Sequence, residues 1–171
     1  MDNEQKLNNN SLSFIGLANE YCALIENSRE SVKDEFVGIL LKMLPRLYIV
    51  ATDLVIESEP EMYMESYLDE DYYESVRRNI EMLMGPDDIY LEVFEEDMKY
   101  SDTPIGASIA ESLADIYQDL YNFISNVKDA SHEMIVDLVA ICKENFETYW
   151  GQHLCNVLRA LHNLKYTHEN L

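Results

Sequence analysis

Apolar residues recur in this chain at steps of three and four, and that spacing limits the fold more than any other feature. Phe14, Leu17, Tyr21 and Leu24 form one stripe. Phe36, Leu40, Met43, Leu47, Val50 and Leu54 form a second, and Tyr73, Val76, Ile80 and Leu83 a third. Ile109, Leu113, Ile116, Leu120, Phe123 and Val127 make the fourth. The fifth is the longest: Ile135, Leu138, Cys142, Phe146, Tyr149, His153, Val157, Leu161 and Leu164. A helix closes a turn every 3.6 residues, so each stripe is one buried face. No segment shows the strict two-residue alternation of a strand. Five glycines and four prolines leave few tight turns for a sheet. The predicted fold is all-α: an up-and-down antiparallel bundle of five main helices, with room for a short sixth in 87–102. One helical domain spans 12–165, between a disordered polar leader, 1–11, and a frayed C-terminus, 166–171.

Local signals set the expected ends. Ser31, with Asp34 three residues on, caps the second helix. Pro45 removes a backbone donor inside it and predicts a kink or break. Asp69 or Asp71 caps the third, and Gly85-Pro86 stops it. Thr103-Pro104 reads as cap and first position of the fourth. Ser131 caps the last. Gly151 inside that helix costs about 1 kcal/mol against alanine, which implies close packing or a bend.

Charge comes next. Thirty-three acids face twelve bases, for a net charge of −21. Such a field repels phosphate backbones and anionic lipid, so direct nucleic-acid and membrane binding are not expected. It attracts basic proteins or divalent cations, although solubility alone also explains it. From Leu47 to Met98 there are sixteen acids and two bases, Arg77 and Arg78, so the field is lopsided. Cys22, Cys142 and Cys155 form no CxxC pair. Cys142 and Cys155 on one helix stand roughly 20 Å apart, too far for a disulfide. Unpaired thiols, and no apolar run near about 18 residues, predict a cytoplasmic protein.

Three groups of residues are candidates for function. The segment 57–74 mixes acids with Met62, Met64, Tyr63, Tyr67, Tyr72 and Tyr73; phenols anchor while carboxylates steer, which suits a basic protein partner. The plain alternative is a loop whose tyrosines fold back over the bundle. Metal ligation is the second. No Glu-x-x-His occurs, and the Glu92/Glu95 and Glu144/Glu147 spacings are common in so acidic a chain, so no metal site and no cofactor are assigned. The third is polar residues in apolar surroundings: Asp53, Asp115 and His153, beside Trp150. Their convergence would make a polar core pocket. Glu111, Asp115 and Asp119 also fit a single solvent stripe. No nucleophile elbow or phosphate loop appears, so no catalytic residue is assigned.

The segments YWGQHLCNVLRALHNL (149–164), GASIAESLADIYQDLYNF (106–123) and LPRLYIVATDL (44–54) resemble a bacterial helical family of Bacteroides-type genomes, described as a domain of unknown function. The resemblance covers residues 12–165 and implies a helical cytoplasmic protein, with no activity attached. The leading expectation is a non-enzymatic interaction or adaptor module with an acidic face toward a basic protein. The alternative is a metal-dependent hydrolase of a nucleotide or other phosphorylated small molecule. A structural homo-oligomer is the third reading.

Overall fold

The computed structural model describes residues 8–91 and 105–167. Six helical segments carry it: α1 (Asn9–Glu26), α2 (Lys33–Asp53), α3 (Glu70–Met84), α4 (Ile109–Val127), α5 (His132–Asn145) and α6 (Gly151–Tyr166). A π-helical turn, Phe146–Trp150, joins α5 to α6 without a gap. The last two segments are therefore one rod, and the main helices number five, as the stripes predict. The fold is all-α.

The helices α1, α2, α6 and α4 close a ring in which each packs on the next, and α3 leans on α4 from outside. The apolar faces meet in one core. Its centre is aromatic: Phe14 lies 5.4 Å from Phe123 and 6.2 Å from Trp150 between ring centroids, and Phe146 meets Trp150 edge-on at 4.7 Å. Burying each such ring stabilises the fold by about 1.5–3 kcal/mol before packing is counted. Two phenols are satisfied inside it. Tyr21 donates to the Leu113 carbonyl at 2.6 Å, and Tyr117 to Glu26 at 2.8 Å.

Several expected boundaries move. Helix α1 begins at Asn9, capped by the Asn8 side chain, so residues 9–11 belong to it and not to a leader. Ser31 does not cap α2. Its hydroxyl donates to the Asn27 carbonyl, and the cap position falls to Val32. Pro45 does not break α2, which runs on to Asp53. Asp69 and Ser131 do cap α3 and α5, accepting from Tyr72 N and Met134 N. Gly85 ends α3 at φ 58°, where a side chain would strain the backbone. Thr103-Pro104, Glu92/Glu95 and most of the expected short helix lie outside the described residues. Within 85–91 the chain makes a 3₁₀ turn (Gly85–Asp88) and then a strand.

A small sheet is the main departure from the all-helical pattern. Strand β1 (Ile89–Leu91) pairs antiparallel with β2 (Gly106–Ser108), Ile89 opposite Ser108. Three residues are too few for a periodicity signal. Their pairing sets Asp88 against the start of α4. Buried Asp88 accepts from Ala110 N and from the Ser108 hydroxyl, both at 2.7 Å, while Ser108 accepts from Glu111 N at 3.1 Å. Two of the orphan amides of a buried helix start are thereby satisfied. Among the described residues no helix is long and apolar enough to cross a membrane.

Gly151 shows how tight the rod junction is. Its amide bonds the Phe146 carbonyl five residues back, the π pattern. A Cβ placed there would sit 2.5 Å from that same oxygen and 2.8 Å from the Phe146 ring. Gly151→Ala is therefore expected to lower stability by about 1–3 kcal/mol despite alanine's better helix propensity. Urea unfolding followed by circular dichroism measures this. An unchanged or raised midpoint would contradict the crowding.

Candidate functional site

Helix α4 touches α1, α3, α5 and α6. That leaves little room for a solvent stripe, and only Glu111 and Gln118 on this side are exposed. Asp115 and Asp119, one turn apart, are half-buried. The solvent-stripe reading therefore holds for Glu111 alone. Tyr73 of α3 donates to Asp115 Oδ1 at 2.5 Å. Tyr149, in the π-turn, lies near the same carboxylates; burial first, then the charges of Asp115 and Asp119, push its phenol up to about 12. Burial and the Asp115 hydrogen bond raise the Tyr73 phenol too.

Asp119 is different. Its Oδ2 is shielded from water and has no hydrogen-bond partner. Burial first, and the neighbouring Asp115 charge second, push its carboxyl up to about 7. A carboxyl takes its proton back when water is removed and a like charge stands nearby. Asp119 is therefore part-protonated near neutral pH, while Asp115 beside it accepts from the Tyr73 phenol.

The four residues expected to form a core pocket separate. Trp150 is fully buried in the aromatic core, its Nε1 donating to the Cys142 carbonyl at 3.3 Å. Asp53 is exposed at the end of α2, and the contacts there are made by main chain, with Asn10 and Lys143 donating to the carbonyls of residues 52–54. Tyr149 stands between the other two: it meets His153 edge-on at 4.6 Å and feels the charge of Asp115. Glu144 and Glu147 are exposed. Among the described residues no three of His, Cys, Asp and Glu gather as metal ligands. Burial raises the Cys22 and Cys142 thiols, as their apolar surroundings predict.

The second feature is the connection between α2 and α3. It crosses α5 and α4 as an extended strap held by side chains. Glu61 N donates to Asp137, Glu65 N to Asn126, and the amides of Tyr67 and Leu68 both to Asn122, at 2.8–3.3 Å. Asn126 returns a bond to the Glu65 carbonyl. An extended chain alternates its side chains. Met62, Met64 and Leu68 turn inward onto the core, while Glu57, Glu59, Glu61, Tyr63, Glu65, Tyr67 and Asp69 are exposed. Tyr63 is 93% and Tyr67 52% exposed. Tyr72 packs beside Tyr121 and Tyr117, and Tyr73, expected to face a partner, turns inward to Asp115.

Residues 5–167 match the family described as a domain of unknown function, DUF5063. The crystal structure of protein BF1032 from Bacteroides fragilis is similar at a TM-score of 0.82 and 34% identity, covering 96% of this chain and 97% of that one. No curated protein matches.

The proton on Asp119 has a consequence for stability. In the unfolded chain this carboxyl titrates near 3.8, in the fold near 7. Between those values the folded state keeps a proton that the unfolded state releases, so stability falls as pH rises and levels off above the higher value. Asp119→Asn stays neutral throughout. It is expected to be more stable than the parent at about pH 8, on the order of 2 kcal/mol, with the gain vanishing below about pH 4. Urea midpoints across that range test it; a pH-independent difference would refute the assignment.

Proposed function

We propose that this chain, which belongs to the DUF5063 family, is a protein-interaction module that receives a basic partner on the acidic segment 57–74, the strap and the first turn of α3. The observation that carries this reading is the exposure of Tyr63 between Glu61 and Glu65 on a backbone already held in place. Ordering a loop on binding costs about 0.5–1.5 kcal/mol per immobilised side chain, and a strap pinned by Asn122, Asn126 and Asp137 has met part of that beforehand. Tyrosine adds contact area at low entropic cost, and the flanking carboxylates supply steering and the favourable sign. A guanidinium laid on either phenol would gain cation–π attraction together with a carboxylate on each side.

The inward row matters equally. Met62, Met64 and Leu68 spend their apolar surface on the core. Apart from Asp69, which caps α3, the outward row contributes nothing to the core. Exchange of Tyr63 and Tyr67 therefore separates binding from folding.

The expected outcome is specific. Immobilised full-length protein should retain a basic protein at low salt and release it near 0.5 M, where the screening length drops to about 4–5 Å. The double variant Tyr63→Ala, Tyr67→Ala should retain at least about tenfold less of that same protein, with its thermal midpoint unchanged within a degree or two. Equal retention by the variant, or a salt-insensitive catch, would count against the strap as the docking surface.

A further inference from the structure

The strap has two backbone edges, and only one of them is occupied. Asn126 holds Glu65 through both of its main-chain groups. Its Oδ1 accepts from Glu65 N at 3.1 Å, and its Nδ2 donates to the Glu65 carbonyl at 2.8 Å. A residue on a facing antiparallel strand would make the same pair of bonds. Both groups of Glu65 therefore point toward α4. The amides of Glu61 and Tyr67, an even number of residues away, donate to Asp137 and Asn122. Side chains of α4 and α5 thus close one lateral edge of the strap.

In an extended chain the main-chain groups of successive residues point to opposite edges. Met62, Met64 and Ser66 therefore present theirs on the other side. Among the described residues none of these groups has a hydrogen-bond partner. Main-chain groups without a protein partner are left to water. Pro60, which has no donor, bounds this open edge on one side, and the start of α3 at Glu70 bounds it on the other. The side chains of Met62 and Met64 pack down on the core and leave the edge clear above.

Charge selects the occupant. No lysine or arginine occurs between Arg46 and Arg77, while Glu57, Glu59, Glu61, Glu65 and Asp69 stand on the outward row. Strand pairing sets side chains on one face about 4.5–5.5 Å apart, where like charges repel and opposite charges attract. The strap of a second copy is therefore disfavoured on this edge, and a basic strand is favoured. Every second residue of such a strand recurs at about 6.6 Å, the spacing of Glu61, Tyr63 and Glu65 along the strap.

We propose that the partner enters as an extended basic segment that adds to the open edge at 62–66 as a β-strand, with arginine or lysine at alternate positions beside Glu61, Tyr63 and Glu65. Main-chain bonds to Met62, Met64 and Ser66 supply affinity, and the alternating cations supply selectivity. This rests on the strap as the docking surface and specifies how the partner is held there.

A blocked heptapeptide alternating threonine and arginine is the probe, titrated into the full chain at low salt. Two further peptides carry N-methyl groups on every arginine or on every threonine. Their charge is unchanged, and each has lost the donors of one edge. One of the two should bind at least about tenfold more weakly than the parent peptide, and which one it is reports the strand direction. At saturation with the parent peptide, solvent exchange of the Met62 and Met64 amides, followed by NMR, should slow at least about fivefold. Equal binding of all three peptides, or unchanged exchange at Met62 and Met64, would overturn strand addition. The strap would survive that result as a docking surface if binding stayed salt-sensitive and were weakened by Tyr63→Ala with Tyr67→Ala. No binding of the parent peptide, or binding that this double variant leaves intact, would remove both.

Discussion

The enclosure of α4 governs the rest of this structure. A helix with neighbours on four sides must satisfy its first amides without water, and here two side chains do so. Asp88 reaches the site only because β1 and β2 pair in a register that places Ile89 opposite Ser108. The small sheet is thus a device for capping. Further along, the same crowding drives Asp115 against Tyr73 and shields Asp119, and near its end α4 offers Asn122 and Asn126 to the strap. One helix carries the cap, the acid pair and the anchors.

Much of the architecture is legible in the order of residues, because helix faces are periodic and caps are local. Asp69, Ser131 and Gly85 act where their chemistry places them. Ser31 fails because its hydroxyl finds the Asn27 carbonyl first, and Pro45 is absorbed because packing along α2 outweighs one missing hydrogen bond. Strand pairing over three residues leaves no pattern to read. The alternation of 57–69 is legible in retrospect: acids and tyrosines on odd positions, Met62, Met64 and Leu68 on even ones. The candidate site was harder. The acid pair depends on which side of α4 is closed, and that is a property of the assembled ring, not of any segment. Tyr73 looked like a member of an exposed aromatic cluster for the same reason.

The acidity of the chain also divides by position. Acids line the outer row of the strap. The acid pair on α4 lies within the fold, where it ties the protonation of one side chain to the packing of α3 and α4.

The π-turn sets the rotational phase of the last rod. Ordinary helical spacing carries the seam from Phe146 to Tyr149 and His153. The observed seam runs from Phe146 to Trp150 and Leu154, one residue later. Each residue of offset turns a helix face by about 100°. The rod therefore behaves as two splined shafts coupled out of phase: α5 addresses α4, and α6 addresses α2 and α4. This junction cannot gain or lose a residue without re-phasing α6. Such a change would present the wrong flank of α6 to the ring, and the whole downstream half of the rod would be misindexed.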